Sequence, residues 1–162
     1  MYKRQALNRQ VETEHLPACG FYGLGVVPYS PLARGVLTAK YQPGAPAPEG
    51  TRAARADKRL METEWRPESL EIARQLGQHA EARGITPGQF AVAWLLNNRL
   101  VTSAIAGPRT EAQWRDYLGT LAYRFTAEDE ALVDSLVVTG HASTAGYNDP
   151  AYPIEGRLPR TA

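Results

Sequence analysis

The chain has 162 residues, enough for one domain with a buried core. A hydrophobic share of 43%, a charged share of 22% and a net charge of +1 give no electrostatic reason to expect nucleic acid or a membrane surface as partner. The single cysteine, Cys19, cannot form an internal disulfide, no apolar run approaches the ~18 residues of a membrane span, and no apolar secretory segment opens the chain. A cytoplasmic setting is therefore expected.

In chain order, the first element is a short helix through Cys19 to Tyr22, with Pro17 in its first turn and Gly23 and Gly25 ending it. Gly25 to Ser30, "GVVPYS", is a short apolar run between turn residues and reads as a buried strand. The connection from Leu32 to Pro67 reads mainly as loop, and carries Lys40, Arg52, Arg55, Lys58 and Arg59. Connections of this length in a compact domain are usually functional or disordered.

From Pro67 the period becomes helical. Leu70, Ala73, Leu76 and Ala80 share a face, and Gly84 suits the residue just past the helix end. Thr86 as N-cap and Pro87 at the first position start another helix, with Phe90, Ala93, Trp94 and Asn97 on one face. Leu100 to Gly107, "LVTSAIAG", reads as a second buried strand. Thr110 with Gln113, and Thr126 with Asp129, have the spacing of capping boxes and open two further helices. From Thr139 the chain is a turn-rich, aromatic tail. Two strands separated by helices imply parallel pairing, but a two-stranded parallel sheet is a poor final state, with both edges unpaired.

Two stretches carry a resemblance. "LNRQVETEHLPACGFYGLGVVPYSPLARGVLTAKY", Leu7 to Tyr41, and "AIAGPRTEAQWRDYLGTL", Ala104 to Leu121, resemble the aldo-keto reductases. The likeness runs from Ala6 to about Arg157. It implies an α/β fold, the C-terminal portion of a (β/α)8 TIM barrel, with strands 7 and 8, their helices and the C-terminal tail. On that basis residues 6–138 form a partial barrel, residues 139–162 a tail, and the N-terminal half of the barrel is a missing partner. Residues 1–5 are expected to be an assembly scar. One frame of a sequencing-library transposon end encodes Val-Tyr-Lys-Arg-Gln, and a GTG start supplies Met1.

The resemblance implies an NADPH-dependent oxidoreductase that reduces aldehydes or ketones to alcohols in the cytoplasm, without metal. The family's catalytic Tyr, Lys, Asp and His fall upstream of Ala6, so no catalytic residue is expected here and the chain alone is expected to be inactive. Cofactor binding belongs to this part. Tyr29 matches the residue that stacks on nicotinamide, or is otherwise a buried barrel tyrosine. Ser30, Leu32 and Arg34 match the pyrophosphate loop, and Lys40 a lysine near the phosphates. Arg52 either joins them or is a solvated loop charge. Gly107 matches a point of close backbone approach. Arg109 offers a planar fork to a 2′-phosphate, favouring NADP(H) over NAD, beside the helix start at Thr110. Gln113 and Asp116 match residues near the adenine. The next family position is usually Asn, and here it is Tyr117, which cannot copy an amide's paired hydrogen bonds.

Alternatives are a nicotinamide-binding regulatory or sensor subunit, and a gene fragment without function. The segment Gly146 to Arg157 either covers the substrate side or packs outside the barrel. "GFYGLG", Gly20 to Gly25, precedes a strand rather than following one, so it is no dinucleotide fingerprint. Glu128 to Glu130 reads as dipole complementation at a helix start, not a metal site. His15, His79 and His141 read as solvated, capping or uninformative, and Cys19 as a small apolar helix residue.

Overall fold

The computed structural model describes residues 3–152. The start of the expected scar and the tail from 153 onward, Arg157 included, lie outside them. Among the described residues six α-helices follow in order: α1 His15–Phe21, α2 Lys58–Thr63, α3 Pro67–Ala82, α4 Pro87–Asn97, α5 Glu111–Gly119 and α6 Ala127–Leu136. Short 3-10 turns lie at Gln10–Glu12, Ala33–Thr38 and Thr120–Ala122.

No strand occurs among the described residues, which corrects the expected α/β barrel portion: the chain is helical. The two apolar runs do lie side by side. Val26 O accepts from Thr102 N at 2.9 Å, and Pro28 O from Ile105 N at 3.0 Å. The pairing is one-sided, however. Val26 N–H donates to the Thr102 hydroxyl at 3.0 Å instead of a carbonyl, and Pro28 has no N–H to give. A ladder needs both strands to donate and accept in turn, so this contact stops short of a sheet. Isolated bridges, Lys3 with Tyr29 and Asn8 with both Gln5 and Ala142, do not extend it.

The helix signals are local and they hold. Pro67 opens α3, and Leu70, Ala73, Leu76 and Ala80 are buried on its inner face. Gly84 sits just past its end at φ +74°, a conformation that costs glycine little. Thr86 caps α4, and its box is closed by Gln89. Thr126 and Asp129 form the second box as expected. At α5 the device is altered: Thr110 accepts the Gln113 N–H, but the Gln113 amide oxygen accepts from Arg109 N, one residue further back. Helix α2 interrupts the connection read as loop; Asp57 caps it by accepting the Leu60 N–H at 2.9 Å.

The core gathers where α3, α4 and the turn at Ala33–Thr38 meet. Trp94, Tyr41, Phe90, Leu7, Leu37, Leu60 and Leu95 are its largest fully buried members. Trp94 is clasped from both ends: the Arg4 guanidinium lies 3.8 Å from its ring centre, and its indole N–H donates to Glu130 at 3.1 Å. Arg9 ties the N-terminal segment to α6 through Asp134 at 2.7 Å and the Val137 carbonyl at 2.9 Å. A smaller cluster, Val11, Leu16, Cys19 and Val26, packs beneath α1. The described tail returns to this framework, with Arg9 N donating to His141 O at 2.8 Å and Ser143 N to Leu7 O at 3.0 Å.

Candidate functional site

A cavity of about 360 Å³ opens between the turn at Ala33–Thr38, the long connection and α5. Its volume falls in the ~300–1,000 Å³ range of small-molecule sites. All ten expected cofactor residues line it: Tyr29, Ser30, Leu32, Arg34, Lys40, Arg52, Gly107, Arg109, Gln113 and Asp116. Gly35, Thr38 and Tyr117 complete much of the wall.

The segment that brings Ser30 to Lys40 into this wall is unusual in its backbone. Ser30, Ala33, Arg34 and Ala39 all have φ between 49° and 55°, and Gly35 has φ +96°. Each left-handed non-glycine residue costs about 1–2 kcal/mol, so the surrounding packing must hold the turn in place. Buried Ala33, Val36 and Leu37 supply that anchorage and alternate with the half-buried Leu32, Arg34 and Thr38. Gly35 has a second reason to be glycine. A methyl group there would stand 3.0 Å from Lys40 Nζ, so the lysine tip would have to shift by a few tenths of an ångström.

Four cations face the cavity: Arg34, Lys40, Arg52 and Arg109. Arg52 alone has an ion pair, with Asp57 Oδ2 at 3.0 Å; Arg34, Lys40 and Arg109 have none among the described residues. Partial burial lowers the Lys40 pKa, and Arg109 and Arg52 lower it further. The wall thus carries four cations against one carboxylate, Asp116, with Asp57 behind Arg52, and this excess of positive charge suits an anion. Asp57 joins the cluster from behind: its carboxyl is held low first by the Leu60 N–H, then by Arg52. It was not among the expected residues, although Asp three positions before Leu60 is a cap signal legible in the sequence.

Tyr29 is half-buried. Burial pushes its phenol pKa up, with Tyr152 and Asp149 adding to the rise and Arg34 opposing it. Tyr152 and Asp149 of the described tail are thus near enough to Tyr29 to act on its phenol. Burial also raises the Tyr117 pKa, while a backbone hydrogen bond from Gly107 lowers it. The Gln113 and Asp116 side chains flank Arg109 from the next turns of α5.

The remaining candidates sit elsewhere. His79 is half-buried and paired: its ring nitrogen lies 2.6 Å from the buried Asp129 carboxylate, which also accepts from the Tyr123 hydroxyl at 2.8 Å and Thr126 N at 2.8 Å. This cluster joins α3 to α6, away from the cavity. Cys19 is buried in α1. Among the described residues no group of His, Cys, Asp and Glu could hold a metal, and no helix is long and apolar enough to cross a membrane.

The chain is similar to several known proteins. It is 38% identical over 104 residues to a probable voltage-gated potassium channel subunit beta of Arabidopsis thaliana, covering 64% of this chain and 32% of that one. It is 35% identical over 116 residues to YrpG, an uncharacterized oxidoreductase of Bacillus subtilis, covering 71% and 32%. It is 33% identical over 125 residues to L-glyceraldehyde 3-phosphate reductase of Escherichia coli O157:H7, covering 73% and 35%. The chain therefore spans about a third of the length of the curated relatives it matches. The family model of the aldo/keto reductases matches residues 2–138, which takes in every cavity residue named above. By that match the chain belongs to the aldo/keto reductase family.

Proposed function

We propose that the chain carries the cofactor-phosphate-binding part of an NADP(H)-dependent oxidoreductase that acts on small carbonyl compounds. The observation that carries this reading is the convergence of Arg34, Lys40, Arg52 and Arg109 on one cavity that also presents the Ser30 hydroxyl and the Tyr29 ring. The donor set suits a dinucleotide phosphate. Guanidinium groups pair with phosphate oxygens in a bidentate fork, and Lys40 adds a point charge. Arg109 stands at the start of α5, where the dipole favours an anion. Tyr29 offers a flat apolar face for a ring. When bound, the cofactor supplies the hydride. This chain's residues hold and orient it, and the groups that donate a proton to the carbonyl belong to the remainder of the parent protein.

The test is a fluorescence titration of the chain with NADPH and NADH. NADPH is expected to bind more tightly. One charge-assisted Arg–phosphate contact is worth ~1.5–3 kcal/mol, so Arg109→Met is expected to weaken NADPH roughly 10- to 100-fold and leave NADH within about twofold. Equal affinities for both cofactors in the unmodified chain would sink the NADP(H) assignment.

A second reading is favoured by the names of relatives. Proteins similar to this chain in Arabidopsis thaliana and in Oryza sativa are named as probable potassium-channel beta subunits. On this reading the parent is a nicotinamide-binding regulatory subunit and the cofactor a signal. A sequencing read upstream of the Ala6 codon separates the two. An intact Tyr, Lys, Asp and His set indicates the enzyme, and its loss the sensor.

A further inference from the structure

The chain has three lysines, Lys3, Lys40 and Lys58, in different surroundings. Lys3 is nearly buried, and its Nζ lies 2.5 Å from Glu64. Lys58 stands out from α2, with Nζ 3.8 Å from Glu62. Lys40 has no carboxylate partner among the described residues. It lines the cavity beside Arg34, Arg52 and Arg109, and it is exposed enough for a solute to reach. Its Nζ lies 5.3 Å from the centre of the Tyr41 ring and close against Gly35. Asp116, the carboxylate of the same cavity, accepts the Thr86 hydroxyl at 2.9 Å.

Cations around an ammonium favour its free-amine form, which is the nucleophile. The buried part of Lys40, and then Arg109 and Arg52, lower its pKa. A larger share of it is therefore free amine at neutral pH than of a solvated lysine. The same guanidiniums suit a phosphate, which they take in bidentate forks. A ligand that carries both a phosphate and an aldehyde is drawn in by one end and presented to the amine by the other. Holding two reacting groups together in this way speeds their reaction.

We propose that the cavity captures phosphorylated aldehydes as a reversible imine on Lys40, with the neighbouring arginines holding the phosphate. The lone pair of the free amine adds to the aldehyde carbon. The carbonyl oxygen leaves as water with the two amine protons, and a C=N bond replaces the C=O bond, so no oxidant or reductant takes part. A captured aldehyde fills the cavity and shuts out a second anion. The capture needs only Lys40 and the cationic wall, so it goes beyond the nucleotide reading and does not depend on it.

The experiment uses pyridoxal 5′-phosphate as the probe, in stoichiometric amount at neutral pH. Borohydride reduces the imine to a stable amine, and peptide mapping locates it. Lys58 and the N-terminal amine serve as internal references. Lys40 is expected to label faster than either by roughly tenfold or more, the worth of one charge-assisted phosphate contact. Pyridoxal, which lacks the phosphate, is expected to lose most of that preference. Excess inorganic phosphate is expected to suppress labelling of Lys40 and to spare Lys58. Lys40→Arg, checked for folding by far-UV circular dichroism, is expected to lose the fast phase of labelling. Should that variant not fold, the map of the unmodified chain decides alone. Labelling of Lys58 or the N-terminal amine as fast as Lys40 overturns the proposal, and so does an equal preference for Lys40 with pyridoxal. A parallel series with NADPH separates the two readings. Protection of Lys40 by phosphate but not by NADPH supports the capture and counts against the nucleotide reading. NADPH binding in the fluorescence titration with no imine at Lys40 sinks the capture alone.

Discussion

Lys40 shows how a cluster of like charges tunes one of its members. Partial burial disfavours its ammonium, and Arg109 and Arg52 repel it, so its pKa lies below the ordinary lysine value of 10.5. An anion entering the cavity reverses that repulsion and draws the proton back. Affinity for NADPH should therefore fall as pH rises through the lowered Lys40 pKa, at a lower pH than an unperturbed lysine would give. Lys40→Met should bind more weakly at neutral pH and lose this limb of the profile. A titration series from pH 7 to pH 10 checks it, and an unchanged limb in the variant would show that another group titrates. At this scale the sequence was informative wherever a residue type sits in a short motif. Ser30, Leu32, Arg34 and Lys40 stand within eleven positions of one another, and Arg109, Gln113 and Asp116 within eight. The pairing of His79 with Asp129 was not legible, because the two stand fifty positions apart along the chain.

At the scale of elements, two carboxylates each join a cap to something else. Asp57 caps α2 through Oδ1 and holds Arg52 through Oδ2. Asp57→Asn keeps much of the cap but weakens the hold on Arg52, whereas Asp57→Ala removes both. The alanine variant is expected to cost about 1 kcal/mol in urea unfolding, the usual worth of such a cap, and the asparagine variant less. Asp129 closes the box of α6 and accepts from His79 of α3. Burial pushes its carboxyl up, but hydrogen bonds from His79, Thr126 and Tyr123 outweigh that and bring it to about 2. A carboxyl lowered by folding adds stability above its unfolded pKa of ~4 and loses it as pH falls toward the folded value. The chain should thus lose on the order of 2 kcal/mol between about pH 4 and pH 2 through this group. Asp129→Asn should flatten that limb in an acid-unfolding series. The matching change sits at high pH. Burial and the bond to Asp129 push Tyr123 up to about 12, so the same contact weakens only as pH climbs from ~10 toward that value.

For the molecule as a whole, the balance of buried and exposed apolar surface is uneven. Trp94 is fully buried under Arg4 and is the largest side chain of the core, so Trp94→Ala is expected to cost ~3–5 kcal/mol, enough to unfold a marginal domain. By contrast Phe21, Tyr22, Leu24 and Leu121 are more than half exposed, and α5 buries none of its residues. Exposed apolar side chains of this size favour association. The chain should elute from size-exclusion columns with a concentration-dependent apparent mass, and Phe21→Ser with Leu24→Ser should reduce that dependence. An unchanged elution profile would place the sticky surface elsewhere.

The sequence by itself determined what acts over a few residues: helix starts at Pro67, Thr86 and Thr126, the end of α3 before Gly84, and the motifs that mark the family. These depend on caps, fixed φ values and side-chain spacing, all local. Only the tertiary structure decided the rest. Whether Val26 and Thr102 become strands depends on reciprocal backbone partners, which an apolar run cannot reveal about itself, and here the hydrogen bonds run one way. The same holds for the cavity. Tyr29 and Arg109 stand eighty positions apart, and the packing of α3, α4 and the turn at Ala33–Thr38 is what brings them to one space.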